Sequence, residues 1–156
     1  STHLGHSFPT RRSSDLNVLA GIGIGQMKVL GERITQKKKI YKTYEDKFKD
    51  VKYINMMPIC SYGDSNYWLS VILINEKSKV KPIDIITELE KYNIESRLVW
   101  KPMHLQPFYQ KYKFFSSLNK GSISQELFKN GLCLPSDTKL TNEDLDNIAK
   151  IIKRLF

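Results

Sequence analysis

Residues 94–109 read Ile94-Glu95-Ser96-Arg97-Leu98-Val99-Trp100-Lys101-Pro102-Met103-His104-Leu105-Gln106-Pro107-Phe108-Tyr109. The first seven alternate, with Ile94, Ser96, Leu98 and Trp100 on one side and Glu95, Arg97 and Val99 on the other. That period of two is the mark of a half-buried strand. Two prolines then bracket a histidine. Neither Pro102 nor Pro107 has an N–H to donate, which bars the segment from the interior of a helix or sheet. The spacing predicts a strand feeding an ordered, extended loop that presents Trp100, Lys101, His104 and Gln106 from a rigid frame. Aromatic, basic and imidazole groups together suit a polar ring or a phosphate. The plainer alternative is a proline-rich connection whose aromatics cover the core and whose His is an ordinary surface residue.

Working outward, Tyr67 to Ile74 is an almost unbroken apolar run behind the turn formers Ser61, Gly63 and Asp64, and reads as a strand buried on both faces. Pro82 suits a first helical position, and Ile83, Ile85, Ile86 and Leu89 give that helix an inner face up to about Asn93. Residues 110–121 read as irregular. Ser122 to Asn130 predicts a short helix closed by Gly131. Leu132 to Leu134 is then a short strand stopped by Pro135. Thr141 with Asp144 resembles a capping box and opens a last helix with Leu145, Ile148, Ile152 and Leu155 inside.

On the N-terminal side, a helix is expected from an Asn17 cap to Phe48, with Met27, Leu30, Ile34, Tyr41, Tyr44 and Phe48 in one stripe. Lys37, Lys38 and Lys39 read as solvated surface beside it. Gly21, Gly23 and Gly25 lack a preceding strand and the dinucleotide spacing, so a phosphate loop is a poor reading. Gly21 and Gly25, one turn apart, suit close packing on another helix. The sum is an α+β architecture, a small antiparallel or mixed sheet covered by helices.

The first sixteen residues are set apart. The run His6 to Leu16 resembles a translated sequencing adapter, with no apolar period and no signal-peptide core, and is expected to be a disordered extension. Two of the three histidines, His3 and His6, lie there, which leaves His104 and no basis for a metal cluster. The formal net charge of +9 could attract a polyanion. However, the lysines are spread along the chain and no basic run alternates with aromatics, so nucleic acid is not the expected partner. No apolar run reaches the ~20 residues of a membrane helix. Cys60 and Cys133 match no zinc or redox spacing and are expected as reduced thiols of a cytoplasmic protein.

Four stretches in order carry a family resemblance: Asn17-Val18-Leu19-Ala20-Gly21-Ile22-Gly23, Ser65-Asn66-Tyr67-Trp68-Leu69, the run 94–107, and Gly131-Leu132-Cys133-Leu134-Pro135-Ser136. Together they resemble the C-terminal part of the DegT/DnrJ/EryC1/StrS enzymes, the pyridoxal-phosphate (PLP) aminotransferases of nucleotide sugars. The resemblance implies the small C-terminal domain of a fold-type I PLP aminotransferase at 54–156, entered by a linking helix at 17–53, with the large PLP-binding domain absent. It implies amino transfer from glutamate to a nucleotide-linked keto-sugar in cell-surface glycan or glycoprotein sugar biosynthesis, in a homodimer. The Schiff-base lysine would lie upstream of Asn17, so no lysine here is expected to be catalytic and the chain alone is expected to be inactive.

The small domain could still supply substrate contacts. His104 comes first, able to hydrogen-bond a sugar hydroxyl or diphosphate oxygen. Tyr67 and Asn66 stand at the mouth of a strand; core packing explains Tyr67 equally well. Arg97 and Lys101 flank Trp100 and could meet a diphosphate, although a salt bridge to Glu95 also accounts for Arg97. Gln106 is a weaker candidate on the same loop. Three alternatives stay open: a sugar dehydratase of the same family that uses the aminated cofactor, a non-enzymatic basic module binding a nucleotide or protein, and a folded remnant without activity.

Overall fold

A computed structural model describes residues 13–116 and 121–156, with side chains from Leu16 onward. The chain forms α1 (Ser13–Phe48), β1 (Ile54–Met56), β2 (Ser70–Ile74), α2 (Pro82–Glu90), β3 (Arg97–Leu98), α3 (Ile123–Asn130), β4 (Gly131–Leu134) and α4 (Asn142–Lys153). The strands make one antiparallel sheet in the order β1-β2-β4-β3. The α+β architecture is as expected, and the sheet is wholly antiparallel.

Period-two alternation gives that sheet two unlike faces. Ile54, Ile72, Ile74, Leu132 and Leu134 share one buried cluster with Ile40, Tyr44 and Phe48 of α1, Ile85 and Leu89 of α2, and Leu145, Ile148 and Ile152 of α4. The register sets Val71, Cys133 and Arg97 in a single row on the other face, which α3 covers in part. Strand β2 therefore alternates buried and half-buried residues and is not buried on both faces as its apolar run suggested. It also starts late, at Ser70, because Tyr67 turns into the left-handed region at φ 52°. The half-buried strand expected over 94–100 narrows to Arg97 and Leu98, both exposed on the sheet edge.

Helix α1 spans 36 residues, about 54 Å at the usual rise. It begins at Ser13, so residues 13–16 of the presumed extension are helical; residues 1–12 lie outside the described residues. The predicted stripe is buried only at its C-terminal end, where Ile40, Tyr41, Tyr44 and Phe48 enter the core while Met27 and Leu30 are exposed. No atom would lie within 4 Å of a Cβ at Gly21, Gly23 or Gly25, so the expected helix-on-helix approach is not made by the described residues. Lys37 is half-buried and donates to the Ser136 carbonyl, correcting its reading as solvated surface.

Helix ends follow their local chemistry. Pro82 opens α2, the Lys81 N–H donates to Asp84 Oδ2 at 2.8 Å, and Asn93 at φ 57° closes the helix with Ile94 N–H bonded to the Leu89 carbonyl. Ile83, assigned to the inner face, is exposed. Gly131 closes α3 as read, with an extended backbone at φ −94°. Space is what requires glycine there: a Cβ would sit 2.5 Å from both the Leu127 carbonyl oxygen and Val99 Cγ2. The loop after β3 is not extended either. It forms two 3-10 turns, Met103–Leu105 and Pro107–Tyr109, because proline is tolerated at the start of such a turn, where its missing N–H would be unpaired anyway.

The capping box on α4 forms as read. Asp144 N–H donates to Thr141 Oγ1 at 3.1 Å, and Thr141 N–H donates to Asp144 Oδ2 at 2.8 Å. Bonds from the Thr141 hydroxyl and N–H hold the Asp144 carboxyl below its ordinary range, and Lys47 does the same for Asp146.

Two stability measurements test this packing. Gly131→Ala should cost about 1–3 kcal/mol in urea unfolding through overpacking; a neutral result would mean that α3 and Val99 shift freely. For Asp144 the folded pKa lies below the unfolded one, so its stabilisation is complete above the ordinary 3.8 and is lost as pH falls beneath it. The urea midpoint should therefore fall more steeply from about pH 4 to pH 2 in the native chain than in Asp144→Asn. Parallel slopes would contradict the assignment.

Candidate functional site

The start of β2 and the end of β4 meet at one corner of the sheet, where Ser70 pairs with Leu134 and Arg97 of β3 pairs with Cys133. A groove of about 620 Å³ opens there, walled by Trp68 and Leu69 before β2, residues 95–101 around β3, Phe128 of α3 and residues 133–136 at the end of β4. Local turns build its rim. Ser65 Oγ accepts from the Tyr67 N–H and Asn66 Oδ1 accepts from the Trp68 N–H, each at 3.0 Å. This Asx turn, with the left-handed Tyr67, throws Trp68 outward. It meets Trp100 from the other side, ring centroids 5.8 Å apart at 31°. Both indoles are 63% exposed.

Charge at the groove comes from Arg97 and Lys101. Arg97 donates from Nε at 2.7 Å and Nη2 at 2.5 Å to Glu95 Oε1. The two side chains are 78% and 73% exposed, so the pair is worth little and is readily exchanged. Lys101 is exposed, and its ammonium has no partner among the described residues. Ser96, on the same segment, is buried, and its hydroxyl also has no partner among the described residues. Burial pushes the Cys133 thiol up, which keeps it protonated.

The other sequence candidates lie elsewhere. Tyr67 points away from the groove, packed edge-on against Tyr41 at 5.2 Å with the Lys38 ammonium 5.9 Å from its ring. It borders a separate cleft of about 550 Å³ with Tyr41, Glu45 and Asn55. The Asn66 amide oxygen is used by its own turn. His104 stacks on Phe114, centroids 3.8 Å apart, and its Nε2 is buried without a partner among the described residues. Gln106 Nε2 reaches the Lys101 carbonyl at 3.4 Å and Met103 Sδ at 3.7 Å, bracing the turns. The structure thus gathers Trp100, Arg97 and Lys101 in the groove, holds Gln106 against the Lys101 backbone outside it, and leaves Tyr67, Asn66 and His104 off its walls. Trp68 and Ser96 were missed as site residues. The available signal was an aromatic directly after an Asn-centred turn, and a serine at an inward position of an alternating strand.

The profile of the DegT/DnrJ/EryC1/StrS aminotransferase family matches residues 15–153. The chain belongs to this family. It is 34% identical over 155 residues to Bacillus subtilis EpsN, which carries the name of a pyridoxal phosphate-dependent aminotransferase; the match covers 99% of this chain and 38% of EpsN. It is 25% identical over 141 residues to the GDP-perosamine synthase of Caulobacter vibrioides, covering 90% of this chain and 37% of that protein. Among solved structures, the Escherichia coli GDP-4-keto-6-deoxy-D-mannose-3-dehydratase with bound hydrated PLP superposes with a TM-score of 0.70 at 25% identity, over 83% of this chain and 33% of that one. The chain therefore spans little more than a third of the length of these relatives.

Do the described residues fit PLP? A lysine that forms an imine needs an enclosed amine whose pKa is held down. Lys42 and Lys91 show the reverse, raised by hydrogen bonds to Glu45 and Glu88. Lys37 and Lys47 are tied to the Ser136 carbonyl and to Asp146, and Lys101 is open to solvent. The described residues do not by themselves make a bed for the cofactor.

Borohydride reduction after mixing the chain with PLP, read by peptide mass spectrometry, checks this directly. Label should scatter substoichiometrically over exposed lysines. Stoichiometric label on a single lysine would contradict the reading.

Proposed function

We propose that residues 54–156, with the entering helix, serve as the small domain of an enzyme that passes an amino group from glutamate through PLP to a keto-sugar carried on a nucleotide. The observation that carries the proposal is the family match over nearly the whole described chain, joined to relatives whose names include a PLP-dependent aminotransferase and a GDP-perosamine synthase. In this reading the large domain holds the cofactor, and the small domain closes over the substrate and contributes polar contacts. Arg97, Lys101 and Trp100 act from the groove, while His104, Tyr67, Asn66 and Gln106 act from outside it. The product feeds cell-surface glycan or glycoprotein sugar synthesis in the cytoplasm, and the working form is a homodimer. None of the described helices is long and apolar enough to cross a membrane.

A second reading has its own support. The similarity to a sugar 3-dehydratase favours removal of a ring hydroxyl by the aminated cofactor. The residue at the cofactor-lysine position separates the two, lysine for transfer and histidine for dehydration.

The test is to purify the product of the full reading frame with PLP and supply glutamate with UDP- and GDP-linked 4-keto-6-deoxysugars. The expected outcome is stoichiometric 2-oxoglutarate and amino sugar. Loss of a ring hydroxyl without amino sugar selects the dehydratase, and a protein that neither binds PLP nor alters any keto-sugar overturns both.

A further inference from the structure

We infer that the aromatic and basic segment 107–116 is a docking surface for an anionic phospholipid bilayer, its rings entering the headgroup layer while Lys111 and Lys113 meet lipid phosphates. Every residue of the segment is exposed, with Phe108, Tyr112 and Phe115 at 67%, 58% and 84%. Rings left in water over a continuous stretch mark a surface that has a partner. The alternation of Lys111 and Lys113 with these rings corrects the expectation that no basic run alternates with aromatics. The segment is also held in shape beforehand. Pro107 opens the turn that carries Phe108 and Tyr109. Phe114 stacks on His104, which ties the far end back to the preceding turn. Lys111 Nζ lies 5.3 Å from the centroids of both Phe108 and Tyr112. Docking therefore has little left to order.

Charge names the partner. From Ser96 to Gln125 the sequence has no Asp or Glu, against Arg97, Lys101, Lys111, Lys113 and Lys120. Neither Lys111 nor Lys113 makes an ion pair with a described residue. Protein interfaces deplete lysine at their centres, and a protein partner would have to place an acid beside each ammonium. An anionic bilayer supplies phosphate and hydrocarbon in adjoining layers, so lysines and rings both find their medium. Single-stranded nucleic acid fits less well, because bases stack on open ring faces. Here Lys111 lies over two of those faces, Phe108 and Tyr109 meet edge-on at 81°, and His104 covers one face of Phe114.

Co-sedimentation with vesicles tests this, using the chain and, in parallel, the PLP-loaded product of the full reading frame. Both should bind vesicles that are one part in three phosphatidylglycerol and ignore pure phosphatidylcholine. Binding should fade as salt rises, because screening shortens the reach of the ammonium groups. The double variant Lys111→Gln with Lys113→Gln should weaken partition about thirtyfold, about five- to sixfold for each lysine, and Lys111→Arg with Lys113→Arg should keep it. Phe115→Ala should weaken it several-fold, whereas Phe115→Trp should bind and shift its emission to the blue on vesicles. These side chains are all exposed, so the variants keep the fold. Equal partition into neutral vesicles, or none into either kind, would overturn the inference. Binding by the chain but not by the full product would overturn it too, since the rest of the enzyme would then cover the patch. Tighter binding of a short single-stranded RNA, lost in the same lysine variant, would overturn it in favour of nucleic acid.

Discussion

The hydroxyl of Tyr44 donates to the carbonyl of Pro135 at 2.9 Å, and the geometry of the rest follows from that bond. Tyr44 is fully buried and stacked on Phe48, and burial pushes its phenol up, so it is always a donor at working pH. The acceptor sits where β4 stops and the chain turns toward α4. Two neighbouring bonds tighten the same corner: Lys37 to the Ser136 carbonyl, and the Ser70 N–H to Ser136 Oγ. The end of β4 is thus fixed to α1 on one side and to β2 on the other. Because residues 133–136 wall the groove, the entering helix sets the shape of a site that it does not touch.

That arrangement divides α1. Its last third belongs to the core, while Val18, Leu19, Ile22, Ile24 and Met27 are exposed in the first half. Helical propensity alone does not hold such a length straight in water; packing of an apolar face does. The same division gives residues 40–156 one buried core while the first half of α1 keeps its apolar side chains exposed.

Much of the fold could be read from spacing. The 3.6-residue period placed α2 and α4, and Thr141 with Asp144 marked the start of α4 because a short polar side chain three residues from a carboxylate has one favourable use. What escaped reading depended on partners distant in sequence. Tyr67 to Ile74 looked doubly buried because the run is apolar, but how much of its second face is covered depends on α3, which lies far along the chain. Gly131 was legible as the end of α3, but the reason for glycine there is the approach of Val99 and the Leu127 carbonyl. Pro102 and Pro107 forbid regular structure, and single 3-10 turns lie outside that prohibition. The site was legible in part for the same reason. Trp100, Lys101 and Arg97 are neighbours in sequence and so also in space, but the tryptophan that completes the groove stands more than thirty residues away, and only the antiparallel register brings it there.

The account's central claim is that the Tyr44–Pro135 bond holds the end of β4, and through it the groove. Native-state hydrogen exchange on Tyr44→Phe tests this most directly. The substitution keeps the ring and leaves a buried carbonyl without its donor. Exchange at the Ser70 amide and along Gly131–Leu134 should quicken about tenfold more than in Ile85–Leu89 of α2. Equal acceleration throughout the domain, or none, would contradict it.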